Sequence, residues 1–140
     1  MAPSTRRVVA ASFVVAVVAT AGSLYYSLGM GLYPCELCWY QRILMYPLVV
    51  VLGYAALAGW PDVHRVVLPL SVPGLGVALY HSYLQLSPGA TCSVWGCNEV
   101  HLRLVGLSIP NQSALAFTLV TVGMAWLWRE YRRNSASLRE

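Results

Sequence analysis

Four cysteines fall into two pairs, and their settings suit disulfide chemistry better than packing. Cys35 and Cys38 lie in Pro34-Cys-Glu-Leu-Cys-Trp-Tyr-Gln-Arg42, at the opening of a long apolar run. Cys92 and Cys97 lie in Ala-Thr-Cys-Ser-Val-Trp-Gly-Cys, within a polar stretch. A Cys-x-x-Cys spacing at a helix start brings two sulfurs within bonding reach, and the unpaired N–H groups and dipole there favour a thiolate. The motif alone is shared with zinc sites and thioredoxin-like sites, so its surroundings must sharpen it. Pro34 suits a helix start. Arg42 follows Cys38 by four residues and so shares its helical face. A charge deep in a bilayer costs roughly 2.5–3.5 kcal/mol on insertion scales, less near the interface. Arg42 therefore either snorkels to head groups or serves as a fixed cation. As a cation it would stabilise the Cys38 thiolate and the negative charge on a reduced acceptor.

Between Cys92 and Cys97 stand Ser93, Val94, Trp95 and Gly96. So small a ring removes little chain entropy, which makes it a modest structural staple. Exposed or strained disulfides are more often the exchanging kind. The loop would offer Cys92 to a protein thiol from outside. His81 and Gln85 are spaced i, i+4 near the far end of an apolar run and match Arg42 in depth. Both side chains can donate to a quinone carbonyl, although a lone His in an apolar helix is often just a satisfied bundle residue. His64 and His101 read as ordinary interfacial residues. A thiol pair at the mouth of a helix bundle is better placed for a lipid-soluble quinone than for glutathione.

The elements that must position these groups are membrane helices. Of 140 residues, 58% are hydrophobic and 10% charged. A soluble domain of this size cannot hide that much apolar surface, and a bilayer can. The pattern predicts an all-α, four-transmembrane-helix bundle forming a single domain over residues 1–140, with helices at about 8–28, 35–58, 66–86 and 113–128. A loop at 87–112 carries the second cysteine pair. Pro47, Pro69 and Pro73 fall inside helices, where neighbouring helices can tolerate them. Residues beyond Trp128 read as a mobile tail. Residues 99–109 alternate apolar and polar side chains, and fit a surface-lying helix about as well as a strand. Cleavage of residues 1–21 as a signal peptide is the competing reading of the first helix. That apolar run is long for a signal sequence, however, and ends in aromatic residues.

The net charge of +4 comes entirely from arginine as the basic residue, and it marks orientation rather than nucleic-acid binding. With the N-terminus cytoplasmic, Arg6, Arg7, Arg65, Arg129, Arg132, Arg133 and Arg139 lie inside, and only Arg42 and Arg103 belong to the outer half. Both termini are then cytoplasmic. Both cysteine pairs face the extracytoplasmic side, where disulfides persist.

At these residues the chain resembles the disulfide bond formation protein B/C family (DsbB and its shorter relatives such as BdbC). The run from Pro34 to Leu48 is similar to that family's signature. Tyr80 to Leu86 followed by Ala90-Thr-Cys92 resembles its third helix and second cysteine loop, and Ile109-Pro110 leading to Phe117 resembles the start of its fourth helix. The close spacing of Cys92 and Cys97 resembles the compact branch of the family. The resemblance implies a protein-disulfide oxidase in the cell membrane that recharges an extracytoplasmic thioredoxin-fold dithiol oxidase of the DsbA/BdbD kind. Its cofactor would be a quinone, ubiquinone or menaquinone. On matching positions, Cys92 would be attacked by the partner's thiolate and Cys97 would resolve the mixed disulfide, either directly or by linking transiently to Cys35. The Cys35–Cys38 disulfide would reoxidise that pair. Cys38 would then meet the quinone, with Arg42 beside it and His81 and Gln85 near it. No resident metal is expected.

Two other readings share some of these features. A vitamin K epoxide reductase-like protein also joins a helix bundle, two cysteine pairs and a quinone, but it would carry its pairs in the reverse order. A structural zinc site would need four thiolates converging about 2.3 Å from one ion.

Overall fold

The computed structural model describes residues 2–86, 103–104 and 107–137. Cys92, Cys97 and His101 lie outside the described residues. Four helices make up nearly all the rest: α1 (Pro3–Leu24), α2 (Glu36–Ala58), α3 (His64–Leu86) and α4 (Ile109–Ser137). They pack as a ring in chain order, α1 on α2, α2 on α3, α3 on α4 and α4 back on α1, with only slight contact across the α2–α4 diagonal. Short connections force consecutive helices to be neighbours, which produces this order.

Each helix start and stop has a local cause. Pro3 opens α1, where its missing N–H is no loss. The helix begins earlier than the apolar run because Arg6 and Arg7 are good helix formers and continue it toward the N-terminus. After Leu24 it widens into a π-helical turn, Tyr25–Gly29, closed by Met30 N–H donating to the Tyr25 carbonyl at 3.1 Å. Cys35 is the N-cap of α2, in extended conformation, so Pro34 stands just outside the helix rather than in its first turn. Gly59 ends α2 in the left-handed region at φ 70°, a geometry glycine adopts without a Cβ clash. Its N–H and that of Trp60 both donate to the Ala55 carbonyl, at 3.0 and 3.2 Å.

The two later helices differ from the expected bounds. α3 starts at His64, whose ring is buried against Tyr131 of α4 with 5.6 Å between centroids. α4 is longer than its apolar run at both ends. Pro110 occupies its first turn. Beyond Trp128 the chain stays helical to Ser137 instead of forming a mobile tail. There Arg132 lies over the Trp128 ring at 5.2 Å and Arg133 pairs with Glu130 at 4.0 Å, contacts between residues one helical turn apart. Just before α4, Arg103–Leu104 (β1) pairs antiparallel with Leu107–Ser108 (β2). In the described part of the alternating stretch, then, the backbone is strand.

Three helical segments are long and apolar enough to cross a membrane: α1 with its π turn, α2 and α3. Their outer faces carry large apolar side chains such as Val18, Val50, Leu57 and Val72, all more than half exposed. In water this would be an aggregating surface, whereas in lipid it is a solvated one. The interior is packed by Val9, Ala16, Leu48, Leu52, Val67, Ala78, Phe117, Val120 and Met124.

Close approach depends on small residues. At Gly74 of α3 an added Cβ would sit 2.7 Å from Phe117 Cδ1 and still nearer the Cε1 edge of that ring. Association of helices in lipid relies on such contacts, because burial from water no longer drives it. Gly74→Ala should therefore destabilise the bundle by about 1–3 kcal/mol through overpacking. Thermal unfolding in detergent would show it, with Gly74→Ala combined with Phe117→Leu recovering much of the loss.

Candidate functional site

One end of the bundle gathers a cluster of polar side chains around the first cysteine pair. At the mouth of α2, Cys35 Sγ and Cys38 Sγ are 2.8 Å apart, both partly buried. The spacing follows from the fold. Cys35 caps α2 and Cys38 lies in its first turn, so the two side chains stand one above the other. Across the helix interface, His81 of α3 is buried, with Nε2 3.8 Å from Cys35 Sγ. The other ring nitrogen, Nδ1, is 3.2 Å from Gln41 Nε2. With the Gln41 amide N–H donating to Nδ1, the neutral ring carries its proton on Nε2, facing the sulfur.

Burial changes the acidity expected at the helix start. The Cys35 thiol is pushed up from 9.0 to about 12, with its hydrogen bond to Cys38 the largest cause and burial the next. His81 pulls the other way but does not win. Cys35 thus keeps its proton at neutral pH, and the helix dipole does not make it a thiolate.

Arg42 turns from α2 toward the end of α1. Its Nη2 donates to the Ser23 carbonyl at 3.0 Å and to the Ser27 hydroxyl. The guanidinium also lies over the Trp39 ring at 5.5 Å. Its Nε is buried with no hydrogen-bond partner among the described residues. Arg42 is thus a cation held against α1, with its Nε unpartnered among the described residues. Above it, the Tyr26 hydroxyl donates to Gln112 Oε1 at 2.8 Å, tying the π turn to the start of α4.

These groups surround one cavity of about 490 Å³. Cys35, Cys38, Arg42, His81 and Gln85 all line it, with Gln41, Tyr26, Gln112 and a largely apolar remainder that includes Val15, Ala19, Met45 and Phe117. The structure therefore brings together every expected site residue that falls within the described residues. Gln41 was missed in the sequence, although it stands inside the cysteine motif as a polar residue amid an apolar helix. Ser27 and Tyr26 carried no signal, because they lie in the π turn, and Ser23 carried none because it acts through its backbone carbonyl.

Comparison with known proteins agrees with this geometry. The family model "Disulfide bond formation protein DsbB" matches residues 5–127. The chain belongs to the DsbB family. It is 41% identical over 123 residues to "Disulfide bond formation protein C" of Bacillus subtilis, covering 84% of this chain and 89% of the relative. It is 40% identical over 130 residues to "Probable disulfide formation protein" of Deinococcus radiodurans, covering 82% and 84%. A protein of the same name from Chlamydia trachomatis is 39% identical over 106 residues, 74% of this chain and 78% of its own. No solved structure gives a significant match. Family membership carries the general role, disulfide formation by an oxidoreductase, and the three apolar spans make this a membrane protein.

Because Gln41 fixes His81, Gln41→Leu should strand a buried ring nitrogen at a cost of about 1–3 kcal/mol. Thermal unfolding measures that cost. Nitrogen NMR of the His81 ring should also show the loss of a single dominant tautomer.

Proposed function

We propose that this DsbB-family chain is a membrane thiol:quinone oxidoreductase that recharges an extracytoplasmic thioredoxin-fold dithiol oxidase. The observation that carries the reading is the shared cavity, where a thiol pair, a pinned cation with an unpartnered N–H, and the donors His81 and Gln85 line one mostly apolar space. Its volume suits a small-molecule ring, and an apolar slot with a few placed donors is what a quinone head group requires. A bound quinone supplies a two-electron, two-proton acceptor.

The residues then divide the work. Cys92 takes the attack of the partner's thiolate and Cys97 is expelled as a thiol; the partner's second thiol then displaces Cys92, so the partner leaves with its disulfide closed and Cys92 and Cys97 are left reduced. The Cys92–Cys97 dithiol passes its electron pair to the Cys35–Cys38 disulfide, closing one S–S bond as the other opens. Closing the Cys35–Cys38 bond again releases two electrons and two protons into the cavity. Cys38 is the sulfur that meets the acceptor, as the family resemblance implies, and it lines the cavity one helical turn before Arg42. Arg42, held by Ser23 and Ser27, sets a positive charge where negative charge develops. His81 and Gln85 orient the acceptor.

The same proposal places both termini in the cytoplasm and both cysteine pairs outside, with α4 as a fourth span. Residues 114–128 form an apolar run worth about 22 Å of helix, short of the roughly 30 Å hydrocarbon core. Trp126, Trp128 and Arg132 at its end have the shape that reaches an interface by snorkelling. The arginine distribution supports this sidedness.

Purified protein, a short-chain quinone and a reduced thioredoxin-fold oxidase test the reading when quinone absorbance is followed. Turnover should fall to background with Cys38→Ser, and Cys97→Ala should accumulate a mixed disulfide through Cys92. A partner joined only to Cys35 would refute that order. Arg42→Ala should raise the KM for quinone about tenfold or more, the size of one lost charged hydrogen bond. Exchange between the two cysteine pairs should persist in that variant. An unchanged KM and rate would remove Arg42 from the site.

A further inference from the structure

We propose that the reduced Cys35–Cys38 pair and His81 form a binding site for a soft divalent cation of the zinc class, open only while the pair is reduced. Cys35 Sγ, Cys38 Sγ and a ring nitrogen of His81 all lie within 4.8 Å of one another. Two thiolates and an imidazole are a donor set that Zn²⁺ and Cd²⁺ favour, and three protein ligands with an open fourth position is a known coordination pattern for zinc. Here the fourth position faces the cavity that all three residues line.

The distances are close to what the ion needs. A tetrahedral centre with Zn–S of about 2.3 Å and Zn–N of about 2.0 Å sets S···N edges near 3.5 Å and the S···S edge near 3.7 Å. The Cys35 Sγ to His81 Nε2 separation is already 3.8 Å. The sulfurs, 2.8 Å apart, must separate by about 1 Å, and the Cys38–His81 edge is within 4.8 Å. Cys35 can supply that movement, because it precedes the first helical residue in extended conformation (φ −70°, ψ 171°) and its side chain can rotate without unwinding α2.

Gln41 makes the imidazole switchable. With its amide N–H on Nδ1, the ring presents an N–H to Cys35. With the amide turned over, Oε1 accepts from Nδ1–H and Nε2 presents a lone pair to a metal, the arrangement in which a ligating histidine is held by its other nitrogen. Binding replaces two S–H protons with two metal–sulfur bonds and releases both protons to solvent. Disulfide formation uses the same two sulfurs, so ion and disulfide exclude each other. A bound ion therefore holds the pair in its reduced state and stops electron transfer until it leaves.

The test needs neither quinone nor partner. Protein carrying Cys92→Ser and Cys97→Ser, reduced with a phosphine in detergent, is titrated with Cd²⁺, and thiolate-to-cadmium absorption is recorded. One Cd²⁺ per chain should bind, and oxidation of Cys35 and Cys38 to the disulfide should abolish binding. His81→Ala and His81→Gln should each weaken it at least tenfold. Cadmium-113 NMR of the protein with His81 intact should show mixed sulfur and nitrogen ligation, which reads the histidine without relying on a variant's folding. Absence of stoichiometric absorption, equal binding by the disulfide form, undiminished affinity in both His81 variants, or sulfur-only ligation would overturn the site.

Discussion

A polar side chain inside this bundle has no water to turn to, and that constraint shapes the whole functional end. An unmade hydrogen bond in hydrocarbon costs several kcal/mol, far more than the roughly 1 kcal/mol net gain of a made one in water. Gln41 and His81 meet that demand by joining α2 to α3. Arg42 meets it on the Ser23 carbonyl and Ser27 hydroxyl, joining α2 to α1. Tyr26 and Gln112 join the end of α1 to the start of α4. Three links between different helix pairs thus clamp the four helices at one level, the level of the cysteine pair. Along the rest of their length apolar packing dominates, with Leu48, Leu52, Val67, Phe117 and Val120 fully buried and Ser12, His64 and Ser71 among the buried polar residues.

The π turn at Tyr25–Gly29 is what lets α1 take part. A regular helix advances its side chains by a fixed angle, and a wider turn re-aims those that follow. Tyr26 and Ser27 both line the cavity, while Tyr25 and Leu28 are exposed to the surroundings. The Ser23 carbonyl, just before the turn, accepts from Arg42. Local irregularity in α1 thereby fixes a charge carried by α2. Such placement through a neighbouring helix holds a cation more firmly than its own flexible side chain would.

Much of this was readable in the chain. The apolar runs indicated the helices, and the cysteine motif placed one pair at a helix start. The i, i+4 relation of Cys38 to Arg42 and of His81 to Gln85 put four groups on two inward faces, and all four line the cavity. The unreadable parts depended on the third dimension. The partner of Arg42 lies at the end of another helix, in a turn whose π geometry has no sequence signature. Gln41 looked like one more motif residue until α3 brought a ring nitrogen against it. The buried state of His64 required Tyr131, more than sixty positions away, in a stretch that read as a tail. Helix bounds shifted where capping and one-turn pairs, rather than hydropathy, decide the last residues.

At the first pair, packing outweighs helix polarity in setting the acidity of Cys35. A dipole-favoured thiolate at the first cysteine would put the negative charge of the reduced pair at the helix cap. Burial and the contact with Cys38 hold the proton on Cys35 instead, up to about pH 12. Cys38 stands one helical turn before Arg42 and lines the same cavity. A positive charge in that place favours the sulfur from which electrons would leave. The cation is there because α1 holds it, so the exit route depends on how α1 seats against α2.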